Sequence, residues 1–228
     1  MDRRSAICAG LAALVAACGG GGGSPAIDTT TDPAPAPSSA AALSPNVACW
    51  GDSLTPAFAL NLQMLTPGRT VFDGGFLGQT STFISAQQLA DASMTPWINV
   101  FWEGHNNITD PDTIKADIAK SIAHLAPGNR RFIVLSLINN AWTAPKGTDN
   151  YARDMKLNAD LAALYPDNYL DVRSLLVAHF DPNDPQDVID NANDVVPSSL
   201  RYDDIHMRND GSLLVAQAVN QFIEAKGW

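Results

Sequence analysis

The chain has 228 residues, of which 46% are hydrophobic and 17% charged, and its formal net charge is -10. That length suits one ordinary domain or two small ones, and the composition excludes wholesale disorder. An acidic balance without a Lys/Arg run excludes a nucleic-acid binder, and no apolar stretch reaches the roughly 18 residues a membrane-spanning helix needs.

The first segment reads as an export signal. Arg3 and Arg4 precede a short run of small and aliphatic residues from Ile7 to Ala17, the layout of a secretory leader. The run ends in Val15-Ala16-Ala17-Cys18, which resembles the lipobox of bacterial lipoproteins. The resemblance implies removal of residues 1–17 and lipid attachment to Cys18. It implies a membrane partner through that anchor and, with Gly19 next, the outer membrane of the cell envelope. Residues 18–45 are dominated by Gly, Pro, Ala, Ser and Thr. Such a stretch has little to bury and reads as a flexible tether. A domain is expected over 46–228. The three cysteines, Cys8, Cys18 and Cys49, form neither a disulfide framework nor a paired Cys/His metal pattern. Cys49 is expected to be a lone buried thiol in a strand.

Strands and helices then alternate. Asn46–Trp50, Arg69–Phe72, Trp97–Trp102, Arg131–Ile138 and Tyr169–Val172 are strand candidates, the fourth strongest in β-branched and aromatic residues. Helices are expected over Thr55–Leu65, Ser81–Ala92, Thr113–Leu125, Asn150–Leu164 and Asp210–Ala225. The last places Leu214, Val215, Ala218, Val219, Phe222 and Ile223 on one face. This alternation predicts a flavodoxin-like three-layer α/β/α sandwich with a mostly parallel five-stranded sheet.

In such a sheet, chemistry gathers at the carboxyl ends of the strands. Gly51-Asp52-Ser53-Leu54 follows the first strand, Asp73 to Thr80 the second, and Glu103-Gly104-His105-Asn106-Asn107 the third; Asp203-Asp204-Ile205-His206 precedes the last helix. Ester cleavage needs a hydroxyl nucleophile, a base, a carboxylate to orient the base, and donors for an oxyanion. Ser53 can be the nucleophile, His206 the base and Asp203 the orienting carboxylate, three residues away. Gly78 offers a backbone N–H and Asn106 a side-chain amide. The competing reading of Ser53 is a helix cap. Asp204 is the rival carboxylate and is expected to face solvent.

Together these four blocks resemble the SGNH (GDSL) hydrolases, over residues 46–228 and in that family's order. The resemblance implies that Ser53, His206 and Asp203 form a catalytic triad. Ser53, Gly78 and Asn106 would form the oxyanion hole. It implies hydrolysis of carboxylic esters, through an acyl-enzyme, without a cofactor or a metal. Two departures stand out. Asn107 occupies a position where the family usually has Asp, so altered local hydrogen bonding is expected there. The second-block glycine could be Gly74, Gly75 or Gly78; Gly78, just before the next helix, is preferred. A G-x-S-x-G elbow, a P-loop and G-x-G-x-x-G are all missing from the sequence.

The expected substrate is a short-chain or O-acetyl ester of a glycan. Alternatives are a lysophospholipid or thioester substrate, acyl transfer to a sugar, or a non-catalytic envelope lipoprotein that keeps the fold. A monomer is expected. Trp102, Phe76 and Trp142 could line the cleft, and His105 could touch substrate or be structural. The acidic stretch from Asp181 to Asp194 reads as a solvated loop near the site, with calcium ligation as the rival. His124 and His179 carry no assigned chemistry.

Overall fold

Alternating inward residues build the sheet. β1 (Val47–Gly51), β2 (Val71–Gly75), β3 (Ile98–Trp102), β4 (Phe132–Leu135) and β5 (Tyr169–Leu170) pair in the order β2-β1-β3-β4-β5, every pair parallel. The structure, a computed structural model, describes residues 42–228. The expected export segment, Cys18 and most of the tether lie outside the described residues.

Val47, Cys49, Val100, Trp102, Ile133 and Leu135 point to one face, where α1 (Thr55–Leu65), α5 (Val172–Ala178) and α7 (Asn209–Ala225) cover them. Ala48, Trp50, Phe101, Phe132 and Val134 point to the other, under α2 (Ser81–Ala90), α3 (Pro111–Ala123) and α4 (Asp149–Leu164). Burial of both faces explains why the central strands read as continuous apolar runs. Trp50, Phe58, Phe101 and Trp102 are the largest inward side chains, each contributing about 1.5–3 kcal/mol of burial. Cys49 lies in this core as a free thiol, and burial pushes its pKa up, with the Asp73 charge adding to the shift.

Local signals set the helix starts. The Asp110 carboxylate accepts from Thr113 N–H before Pro111 opens α3, and Thr148 Oγ1 accepts from Tyr151 N–H at the start of α4.

Several elements differ from the sequence expectation. β2 begins two residues later than expected. β4 is half the expected length: at Leu137 both backbone groups turn to the Asn158 side chain, whose amide donates to the carbonyl and accepts from the N–H, both at 2.8 Å. The fifth strand is only two residues long because Asp171 caps α5 immediately after it. The acidic stretch is not a solvated loop. Asp184 caps a further helix, α6 (Pro185–Ala192), and Asp187 and Asp190 are buried beneath it. Asp187 accepts from the N–H groups of Asp181 and Ser199 and from the hydroxyls of Ser198 and Ser199; Asp190 pairs with Arg201 at 2.9 Å. Among the described residues, no group of three or more His, Cys, Asp or Glu could hold a metal ion, and no helix is long and apolar enough to cross a membrane.

Candidate active site

The sheet reverses its winding direction between β1 and β3, and the crevice at that switch point is where an open α/β sheet binds ligands. β1 ends at Gly51, and the next three residues turn the chain into α1. A Cβ at Gly51 would stand 2.3 Å from the Trp102 carbonyl oxygen and 2.2 Å from Thr55 Oγ1. Only glycine lets β1 and β3 close to this distance just before the turn. The turn presents Ser53 at the rim. Its side chain does not cap the helix; no side-chain cap bond exists at the start of α1.

Ser53 Oγ lies 2.8 Å from His206 Nε2, across 153 positions of sequence. On the far side of the ring, His206 Nδ1 lies 2.8 Å from Asp203 Oδ2. The bend holding both is pinned by an antiparallel bridge between Arg201 and Met207 and by Tyr202 N–H donating to the His206 carbonyl at 3.0 Å. Asp203 Oδ1 accepts from the N–H groups of His206 (2.6 Å) and Ile205 (2.9 Å). Burial alone would raise the Asp203 pKa; those N–H groups and the ring outweigh it and hold the carboxyl below its ordinary value. The carboxylate is therefore an acceptor, which places the Nδ1 proton toward Asp203 and leaves Nε2 to accept from Ser53. The Tyr202 ring stacks on the imidazole at 5.7 Å with 10° between planes.

The donor candidates come from two loops tied to each other. Asn106 Nδ2 donates to the Gln79 carbonyl at 3.0 Å, next to Gly78. Gly78 adopts φ +72, a left-handed conformation that glycine takes without strain. Neither the Ser53 nor the Gly78 backbone N–H has a hydrogen-bond partner among the described residues. Asn107 accepts from Ser81 N–H and donates to Ser81 Oγ, both at 3.0 Å. The amide thus ties the third loop to the start of α2, a local pattern to which both its donor and its acceptor contribute.

A cavity of about 270 Å³ opens beside this array, with Ser53, His206, His105, Asn106, Asn140, Arg153 and Asp154 in its wall. A smaller one of about 130 Å³ lies on the other side of Ser53 and His206, against Tyr202 and Met207. The apolar wall of the larger cavity is aliphatic, from Leu54, Ile108, Ile138, Ala144 and Ile205. None of the three aromatic residues expected at the cleft lines either cavity. Trp102 is fully buried and donates from Nε1 to the Ser136 carbonyl, because its strand position faces the α1–α7 layer. Phe76 packs on Phe83, and Trp142 is exposed. Asp204 is not turned to solvent either. Its carboxylate accepts from the Asn140 amide and its carbonyl from Ala141 N–H, joining the loop after β4 to the His206 bend.

Sequence reasoning left His105 between a substrate contact and a structural role, and did not mark Arg153 or Asp154. His105 Nε2 accepts from Ile138 N–H at 3.2 Å, and Nδ1 meets Asp52 Oδ2 at 3.0 Å. Arg153 donates from Nε (3.0 Å) and one Nη (2.8 Å) to Asp154 Oδ1. Burial raises the Asp154 pKa, against the lowering pull of Arg153 and the weaker pulls of His105 and Arg173. An Arg-Asp pair on a polar helix surface looks like any solvated pair; only the fold shows that it faces this cavity. Glu103 is also buried, and neither side-chain oxygen has a hydrogen-bond partner among the described residues; burial and the charges of Asp117 and Asp52 push its pKa well up.

No family model matches the chain. Over 146 residues, 58% of this chain, it is 29% identical to the tail spike protein of Salmonella phage epsilon15, but the chain spans only 13% of that protein's length. Solved structures that share its architecture include the following three. The C-terminal catalytic domain of Streptococcus pneumoniae peptidoglycan O-acetyltransferase A superposes with a TM-score of 0.57 at 16% identity, covering 80% of this chain and 94% of that one. An acetyl xylan esterase gives 0.62 at 17%, covering 77% and 98%. A GDSL-like lipase from Bacteroides thetaiotaomicron gives 0.61 at 16%, covering 79% and 88%. At these identities the likeness is one of fold, and the chain has the SGNH-hydrolase fold that these enzymes share.

Proposed function

We propose that the chain is a serine ester hydrolase of the SGNH type, acting on short-chain or O-acetyl esters of glycans. The observation that carries this reading is the continuous relay from Ser53 Oγ to His206 Nε2 and from His206 Nδ1 to Asp203, each contact 2.8 Å. The fold shared with an acetyl xylan esterase and a peptidoglycan O-acetyltransferase supports the substrate class.

In the proposed reaction, Ser53 Oγ attacks the ester carbonyl carbon as its proton passes to His206 Nε2. Asp203 stabilises the imidazolium. The oxyanion accepts hydrogen bonds from the N–H groups of Ser53 and Gly78 and the Asn106 amide. Collapse breaks the carbon–oxygen bond to the alcohol, which takes the proton from Nε2, and leaves Ser53 acylated. Water then attacks the acyl carbon, giving its proton to Nε2. The acid departs, and the proton returns to Ser53 Oγ. The residues supply every proton-transfer role of this sequence.

The test is hydrolysis of p-nitrophenyl acetate by the full chain and by Ser53→Ala. The variant should fold normally and lose at least about a thousandfold in kcat, as removal of a triad nucleophile does. Retained turnover removes Ser53 from the mechanism.

The lipobox-like Val15-Ala16-Ala17-Cys18 supports the further reading that the chain is exported and anchored in the outer membrane by lipid on Cys18. Incorporation of labelled fatty acid that survives a Cys18→Ser substitution would refute it.

A further inference from the structure

The wall of the larger cavity holds a charged pair that neither the relay nor the oxyanion donors use. Arg153 and Asp154 are the α4 residues that reach it, beside Ser53 and His206. Asp154 is 2% exposed, a costly place for a carboxylate. Arg153 spends two N–H groups on a single oxygen, Asp154 Oδ1, and one more, from its other Nη, on Asn150 Oδ1 at 2.8 Å. A guanidinium carries five N–H donors, so two remain. Asp154 Oδ2 accepts no hydrogen bond from the described residues, and Asp154 lines the cavity. Two donors and one acceptor of the pair are thus left without a partner among the described residues, on side chains that line the space beside Ser53.

We propose that Arg153 and Asp154 form the subsite for the alcohol part of the ester, and that this part is polyhydroxylated: a sugar whose free hydroxyls flank the acylated one. A hydroxyl both donates and accepts. One sugar hydroxyl can donate to Asp154 Oδ2 while its neighbour accepts from Arg153, a match that a vicinal diol makes with one rigid ring. An alkyl chain or a lipid tail in the same space satisfies none of these groups and strips them of water, so the wall selects against it. The pair also fits an otherwise acidic protein. Asp154 neutralises the guanidinium, so the subsite recognises hydroxyl groups without demanding a charged substrate. This inference rests on the serine-hydrolase reading for its reacting ester, but the subsite itself is readable by binding alone.

Two measurements on the full chain test it. The first compares kcat/KM for a hexose carrying one O-acetyl group with that for butyl acetate, in the wild type and in Arg153→Met and Asp154→Asn. Methionine keeps an unbranched stem in the wall, and asparagine keeps the carboxylate's shape; circular dichroism checks both folds. The sugar-to-butyl ratio should favour sugar in the wild type and fall at least tenfold in each variant, mainly through KM. A ratio within threefold of wild type in both variants overturns the subsite, as does a wild type that prefers butyl acetate. The second measures binding of the same acetylated hexose to Ser53→Ala by calorimetry, with and without Arg153→Met. At least tenfold weakening supports the subsite even if no ester is turned over, in which case the serine-hydrolase reading alone fails. Equal affinities overturn the subsite even if Ser53 proves to be the nucleophile.

Discussion

Asp52 and His105 face each other at 3.0 Å beside the turn that carries Ser53, their side chains 0% and 7% exposed. Because His105 Nε2 accepts from Ile138 N–H, the ring proton sits on Nδ1 and is donated to Asp52 Oδ2; Asp52 Oδ1 meanwhile accepts from Leu54 N–H at 3.2 Å. One side-chain pair thus joins the ends of β1, β3 and β4 around Ser53. Its place between the motif residues shows why Asp52 precedes Ser53: it holds the turn.

Replacing His105 by Ala should strand a buried carboxylate and an unpaired N–H. The expected cost is about 3 kcal/mol of unfolding free energy. Urea unfolding measures it, and a loss below about 1 kcal/mol means that water or a local shift satisfies Asp52 instead.

Asn106 spends one amide N–H on the Gln79 carbonyl and keeps the other. If that second N–H stabilises an oxyanion, Asn106→Ala lowers kcat on p-nitrophenyl acetate about 10²–10³-fold with little change in KM. A change confined to KM would assign Asn106 to ground-state binding.

Asp187 gives the pH dependence a definite sign. Burial alone would raise its pKa, but the N–H groups of Asp181 and Ser199 and the hydroxyls of Ser198 and Ser199 hold it below its ordinary 3.8. A carboxyl with a depressed folded value stabilises fully above its unfolded value and loses that contribution as pH falls through the folded one. Thermal stability should therefore drop more steeply below about pH 4 in the wild type than in Asp187→Asn, while the variant is the less stable protein at neutral pH. Parallel melting curves across this range would show that Asp187 carries no such linkage.

Gly51→Ala would place a Cβ against the backbone of β3, with the Trp102 carbonyl oxygen 2.3 Å away. Backbone cannot rotate aside as a side chain can, so β1 and β3 must part. A destabilisation of about 2–3 kcal/mol is expected, with a fall in the proposed hydrolysis of p-nitrophenyl acetate as the Ser53 turn moves. Unchanged melting would show that the strands separate without strain.

The sequence by itself determined the layer order and the polar blocks at the strand ends. Apolar runs such as Ile98–Trp102 and the helical face of Val215, Val219 and Ile223 are dictated by burial, and burial is written in residue type and period. Gly51-Asp52-Ser53 and Asp203-x-x-His206 were legible for the same local reason: turns and short-range spacing belong to the chain. Tertiary structure alone decided which polar groups meet. The half-length of β4 depends on an Asn158 amide in α4, the acidic stretch became a helix over buried carboxylates, and Asp204 found Asn140 instead of water. His105 against Asp52, and Arg153 with Asp154 in the wall of the cavity beside Ser53, are likewise invisible in one dimension. Each depends on a hydrogen-bond partner or a cavity supplied from elsewhere in the chain, and a polar side chain's period and propensity carry no record of that partner.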